Sequence, residues 1–481
     1  MVSCTEQEFV REFSKQIMNS SAALFIGSGL SRSAGYTDWK GMLKEAAEDI
    51  GLDVDKENDL ISLAQYYVNS KKRVKINKAI SEYFSQLFEP TETHRILSSL
   101  PITSYWTTNY DTLLERTFEE MQLSYSVLTN DKSFHKFLNG SDIVIHKLHG
   151  DVNTPNEAVI TKHDYEQFAL EHEILLAKLK GEMCSKSFLF LGYGFNDTDI
   201  NHILTRIRLF YKGEPPQNHF CLLEKITRLR DKQGNYIEAE EDFEYRKRKQ
   251  EHRIIDLESY GIRSVLINNY KTDIPRLLLE IRKRVYIKSV FISGACEPDN
   301  KDVALYAQFA KTISAWLITR KYKIISGYGK TIGAEVVAGA DDGCRMLRKE
   351  GFKNLSECLS IYPFPYKKSM SNEDREIVYS EYRKKIIGKA GICIIINGTK
   401  NGNAISEGVL NEAKIAQELG CLIVPIAITG GAAKQIWDEM NCENNTLTQS
   451  QDFQKLNATT GFSDVYNVIT SIIEQYVSKI S

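Results

Sequence analysis

At 481 residues, with 42% hydrophobic and 26% charged side chains and 10 prolines, the chain is too long for one ordinary core and too apolar to stay disordered. Its formal net charge is −2, with 38 basic against 42 acidic side chains up to residue 284 and 23 against 21 beyond it, so neither half has the positive field that nucleic-acid binding requires. The opening MVSCTEQEFVREFSKQ has no apolar signal core, and runs such as Ile392–Ile396 and Leu422–Ile428 fall far short of the roughly 20 residues that span a bilayer, so a cytoplasmic chain without a membrane partner is expected.

In chain order, apolar β-rich runs at Ala22–Ile26, Ser104–Trp106, Asp142–Leu148, Ser187–Leu191, Phe220–Leu223 and Ser264–Ile267 alternate with amphipathic segments. That alternation predicts a parallel sheet wrapped by helices. Helices are expected over Asp59–Val68, Asp111–Met121 and Asp197–Tyr211, each opened by an acidic residue able to cap backbone N–H groups. The charged stretch Glu224–Arg253 reads as a solvated helix with opposite charges at turn spacing and receives no chemical role. After a helix over Ile274–Arg284, strands restart at Ser289–Ile292, Lys323–Ile325, Cys358–Tyr362, Gly391–Ile396 and Cys421–Ile428. The fold class is therefore α/β, two doubly wound parallel-sheet domains, spanning residues 1–284 and 285–481.

Polar tips follow the strands of the first domain. The first strand leads into Gly27-Ser28-Gly29-Leu30-Ser31-Arg32-Ser33-Ala34-Gly35, with a helix expected near Asp38. Glycines let backbone approach phosphate oxygens, and a helix start favours anionic charge. The dehydrogenase fingerprint is broken, because Arg32 stands at its third glycine, and a plain strand-to-helix turn would look the same. Thr107-Thr108-Asn109-Tyr110-Asp111, Lys147-Leu148-His149-Gly150-Asp151 and Gly192-Tyr193-Gly194-Phe195-Asn196-Asp197 follow three further strands. In an open parallel sheet such tips share one crevice. Taken singly, Asn109 and Asp111 could be helix caps and His149 a hydrogen-bonded turn histidine.

Taken together, GSGLSRSAG, TTNYD, KLHGD and GYGFND, in that order over about the first 280 residues, resemble the sirtuin superfamily. The resemblance implies that Gly27, Ser28, Gly29 and Ser31 hold NAD+ with Gly192, Gly194 and Asp197, that Asn109 and Asp111 lie beside the nicotinamide ribose, and that His149 acts as base. Deacylating sirtuins carry a zinc module of two C-x-x-C pairs. The nine cysteines here form no such pair, so no metal is expected, and water or another part of NAD+ becomes the expected acceptor.

The second domain presents Ser293-Gly294 after its first strand and Gly327-Tyr328-Gly329-Lys330-Thr331-Ile332-Gly333 after its second. Tyr382-Arg383-Lys384-Lys385, the tip Asn397-Gly398-Thr399-Lys400 and a helix from Ser406 carrying Glu407 and Glu412 follow. Cations there can meet phosphates, and a carboxylate can hold ribose hydroxyls; Lys384 and Lys385 read more simply as a solvated helix face. The region resembles the SLOG family of nucleotide sensors. It lacks the P-G-G-x-G-T-x-x-E loop of related base-releasing enzymes, which favours binding without catalysis.

The order of the two domains resembles the Thoeris anti-phage effector NADases. That resemblance implies NAD+ as substrate with no cofactor, activation by a cyclic ADP-ribose isomer made by a TIR-domain partner protein, and a homotetramer. It places the activator-contacting cations on Arg383 and Lys400 and the acidic contact on Glu412, beside the glycine-rich strand ends Ser293, Gly294, Gly327, Tyr328, Gly329 and Gly333, which by themselves suggest a nucleotide site. A NAD+-dependent protein deacylase and a non-catalytic nucleotide sensor are the competing readings.

Overall fold

A computed structural model describes residues 4–136, 143–195, 198–214, 216–347, 354–365, 371–400, 404–443, 447–458 and 461–480. The chain divides into two compact units, Met1–Leu278 and Leu279–Ser481.

The first unit is built on seven parallel strands: β1 (Ala22–Ile26), β2 (Ser104–Thr107), β3 (Tyr125–Leu128), β4 (Ile143–Lys147), β5 (Ser187–Leu191), β6 (His219–Glu224) and β7 (Ile262–Ile267), in the order β3-β4-β2-β1-β5-β6-β7. Every residue of β1 and β5 is buried, as expected where helices cover both faces of a parallel sheet and hydrophobic residues need not alternate. The chain builds outward from β1 on one side, then returns to add β5 on the other. The crevice beyond the carboxyl ends of β1 and β5 is thus the topological switch point where ligands of such folds bind. Strand β3 is absent from the sequence pattern; it is a short edge strand with only Leu128 buried, so its residues carry little of the core signal.

The second unit has β8 (Ser289–Ala295), β9 (Lys323–Ser326), β10 (Leu359–Ile361), β11 (Ile392–Asn397), the paired two-residue strands β12 (Thr399–Lys400) and β13 (Ala404–Ile405), and β14 (Leu422–Ile426). Its parallel sheet runs β10-β9-β8-β11-β14, which puts the switch point between β8 and β11. Two doubly wound α/β units thus match the strand pattern of the sequence. Among the described residues no helix is long and apolar enough to cross a membrane.

The segment after β1 differs from the open glycine loop that its composition suggests. Ser28–Ala34 forms a helix closed by left-handed Gly35, and a second helix starts at Trp39 with Asp38 as its cap, 2.9 Å from the Gly41 amide. The glycines serve close packing. Gly27 and Gly29 donate their amides to the carbonyls of Leu191 and Gly192, each at 2.9 Å. A Cβ on Gly27 would stand 2.5 Å from the Gly192 oxygen, and one on Gly192 would stand 2.4 Å from the Leu30 nitrogen. Gly192 also needs its left-handed φ of +64°, a conformation cheap only for glycine.

Candidate active site

Helix Ser28–Ala34, the turn after β2 and the turn after β4 meet at the β1/β5 switch point. Together they line a cavity of about 450 Å³ bounded by Ser28, Ser31, Asn109, Asp111, His149 and Gly194. Ser31 sits at the centre of a relay. Its Oγ donates to Asp111 Oδ2 at 2.6 Å and accepts from Asn109 Nδ2 at 2.9 Å. With Nδ2 pinned, the Asn109 amide cannot rotate freely, and its Oδ1 is directed away from Ser31. The Asn109 backbone amide is itself fixed by Thr107 Oγ1 at 3.0 Å. Asp111 also accepts from the Leu113 amide at 3.1 Å, the first amide of the helix Leu113–Glu120, whose N-cap position is Thr112; holding that amide and lining the cavity are compatible roles for one carboxylate.

His149 is 3% exposed, with its ring edge-on to Tyr165 and Phe168 at centroid distances of 5.3 and 5.8 Å. Those two rings come from the helix Lys162–Glu171 and fix the plane of the imidazole. An imidazole held by aromatic neighbours and lining one cavity with a carboxamide and a carboxylate can accept a proton from a hydroxyl or water held there.

A second cavity of about 780 Å³ is lined by Gly29, Gly192, Thr93, Glu224, Arg253 and Lys271 among others, and shares Tyr193 and Gly194 with the first. Both volumes lie in the range of about 300–1,000 Å³ typical of small-molecule sites. A ligand with two ends joined across Tyr193 and Gly194 would fit this pair. Arg253 Nη2 donates to the Gly194 carbonyl at 2.5 Å, so the charged helix reaches the lining of this second cavity; that helix spans Glu240–Ser259 and not the whole of the expected stretch from Glu224, which ends a strand. Gly27 lines neither cavity and acts through packing. Asp197 lies outside the described residues.

Several lining residues escape the sequence motifs. Trp39, Asn58 and Asp59 come from the segments between β1 and β2, and Tyr165 from the helix after β4; none stands in a glycine-rich or strand-end motif, so no local pattern marks them. Tyr193 stands inside the GYGFND block, and its ring packs on Phe25 at 4.6 Å, a role that a tyrosine between two glycines could have signalled.

In the second unit the structure gathers part of the expected set. Ser293, near the end of β8, donates to Glu412 Oε2 at 2.6 Å, while Arg383 lies 3.6 Å from Glu412 Oε1. Arg383 is 6% and Glu412 8% exposed. Burial pushes the Glu412 carboxyl above its ordinary range, although Ser293 and Arg383 oppose the shift. The guanidinium stacks over Phe364 at 5.1 Å and Tyr379 at 5.7 Å, and its Nε is the atom that faces Glu412 Oε1, at 3.6 Å too long for a hydrogen bond. A guanidinium whose carboxylate partner stands beyond hydrogen-bond distance can take a closer anionic acceptor.

Gly294 and Gly329 press backbone to backbone there, a Cβ on Gly329 falling 2.0 Å from the Gly294 oxygen. Gly327 packs against Phe364, and Gly333 lies beneath Tyr328, whose half-exposed ring stands on a left-handed residue with φ +56°. Lys400 is exposed on β12, and no described contact joins it to Arg383 or Glu412.

The two parallel-sheet units are a SIR2-like domain joined to a SLOG domain. Residues 103–255 match the SIR2-like domain family, and residues 273–476 match the Sir2- and TIR-associating SLOG family. Over nearly its whole length the chain is similar to proteins named NAD(+) hydrolase ThsA: 36% identical to that of Bacillus cereus (strain MSX-D12) over 97% of each chain, 34% to that of Cytobacillus dafuensis over 98% of this chain and 96% of the relative, and 33% to that of Acinetobacter baumannii (strain 532279) over 92% and 93%. The chain belongs to the ThsA family.

Proposed function

We propose that this enzyme is an NAD+ hydrolase that releases nicotinamide and ADP-ribose, and that occupancy of its second unit by a cyclic ADP-ribose isomer switches it on. The observation that carries the first part is the Asn109–Ser31–Asp111 relay facing His149 across one cavity at the β1/β5 switch point. Family membership supports the same reaction.

Nicotinamide leaves a pyridinium as a neutral base, so the reaction needs no general acid. Positive charge develops on the ribose, where the Asp111 carboxylate and the fixed Asn109 dipole are favourable neighbours. The bond from ribose C1′ to the pyridinium nitrogen breaks with its electron pair going to nicotinamide. Water oxygen then bonds to C1′ and its proton passes to His149. This differs from glycosidases that pair two carboxylic acids, one of them protonating the leaving oxygen. NAD+ is substrate here, and no cofactor or metal enters the scheme.

The buried Arg383, loosely paired with Glu412, supports an anionic ribose-containing activator, with Tyr328 and Lys400 as outer contacts. The Sir2- and TIR-associating description of the matched family supports a TIR-domain protein as the source of that signal. On this reading the protein works in the cytoplasm as a homotetramer that depletes NAD+ during anti-phage defence.

The test is nicotinamide release from purified chain with NAD+ alone and with a panel of cyclic ADP-ribose isomers, beside His149→Ala and Asn109→Ala. Stimulated release that both substitutions abolish supports the proposal. Release only with an acyl-lysine peptide would instead establish a deacylase, and binding without release would establish a sensor.

A further inference from the structure

The KLHGD block supplies His149, yet its lysine and aspartate have no part in the chemistry above. Lys147, the last residue of β4, has no exposed surface. Its Nζ lies 2.7 Å from the Asp111 carbonyl, 3.5 Å from the Tyr110 carbonyl and 2.6 Å from Glu115 Oε1, and it also pairs with Asp151 Oδ2. An ammonium has three protons. Here the close acceptors belong to three segments: the turn carrying Asn109 and Asp111, the helix Leu113–Glu120, and the turn that follows His149. Burial by itself would lower the basicity of Lys147, but Glu115 and Asp151 outweigh it and hold the amine charged.

Backbone bonds complete the seam. Val152 donates to the Tyr110 carbonyl at 3.0 Å, the Tyr110 hydroxyl donates to the Val159 carbonyl at 2.8 Å, and the Val159 amide donates to the His149 carbonyl at 2.9 Å. Lys147 supplies the charged donor of this seam, and it lies behind the cavity and not on its lining.

We propose that Lys147 is a positioning residue for NAD+ cleavage: its buried ammonium, held by Glu115 and Asp151, locks the Asn109–Asp111 turn in register with the His149 turn. This role rests on NAD+ hydrolysis being the reaction at the cavity. A shift of about 1 Å between two reacting groups costs about 100-fold in rate, whereas substrate recognition spread over both cavities is left largely intact. Loss of Lys147 therefore lowers kcat more than it raises KM.

The test uses the full chain with NAD+ and the same isomer panel, comparing wild type, Lys147→Met and Lys147→Met/Glu115→Gln. The single variant buries two carboxylates without their cation and is expected to be thermally weakened. The double variant removes one charge of each sign and leaves one buried carboxylate, Asp151, without its cation in place of two, so it is the less weakened of the pair and the one in which activity is read below its thermal midpoint. The expected result is a folded double variant with kcat down about 100-fold and KM within about threefold. A folded variant with kcat within about threefold of wild type overturns the positioning role, as does a rise in KM with kcat unchanged. No nicotinamide release from wild type under any condition defeats the hydrolase reading itself, a result distinct from a fully active Lys147 variant.

Discussion

Replacing Ser31 with alanine tests the relay at its centre. The hydroxyl belongs to a residue 4% exposed, and Asp111, which accepts from it, is 5% exposed. Its removal leaves the Asn109 amide without its acceptor and Asp111 Oδ2 without its donor, while the Leu113 amide still holds Oδ1. Losing one partner of a buried polar group costs about 1–3 kcal/mol. With that loss felt in the transition state, at about 1.36 kcal/mol per tenfold, kcat/KM falls about 5- to 150-fold.

Nicotinamide release at limiting NAD+ measures it directly, and a cycle with Asn109→Ala locates the effect. Because Ser31 works by orienting Asn109, the double variant should be hardly worse than Asn109→Ala alone. Full additivity of the two losses, or Ser31→Ala activity within about threefold of wild type, would refute the relay.

Gly192→Ala places a Cβ 2.4 Å from the Leu30 nitrogen at φ +64°, so it should separate the β1 and β5 tips and abolish NAD+ binding, as titration calorimetry would show. Buried His94, His146 and His219 are each driven down to about 4 from an ordinary 6.5, chiefly by burial. For a depressed base the stability is present above the unfolded value and is lost as pH falls toward the folded one. At about 1.4 kcal/mol per pH unit, each costs up to about 3.5 kcal/mol between about pH 6.5 and 4. The first unit should therefore unfold on acidification over that window by circular dichroism; a signal unchanged down to about pH 4 would count against neutral burial. Arg282, with no exposed surface, donates to the carbonyls of Leu419, Ile387, Gly388 and Ala390. Arg282→Met strands these acceptors and should cost the second unit about 3 kcal/mol or more, seen as a lower thermal midpoint.

Much of this protein is written locally in its sequence. Runs such as Ala22–Ile26 and Ile392–Ile396 are buried throughout because helices cover both sheet faces, so their unbroken apolar character, alternating with amphipathic segments, is what declares a parallel sheet. Motifs at strand ends are legible for a related reason: a parallel sheet delivers every such tip to the same edge, and four short blocks therefore mark Ser31, Asn109, His149 and Gly194 as neighbours. Only the tertiary structure decided what those blocks do to one another. The Gly27, Gly29 and Gly192 contacts, the Ser31 bridge and the Lys147 seam each join residues from different strands, so their pairing has no signature in local spacing. The same holds for Trp39, Tyr165 and Arg253, which reach the cavities from helix faces whose sequence pattern reports burial and charge, while what lies opposite them is set by the packing of segments remote along the chain.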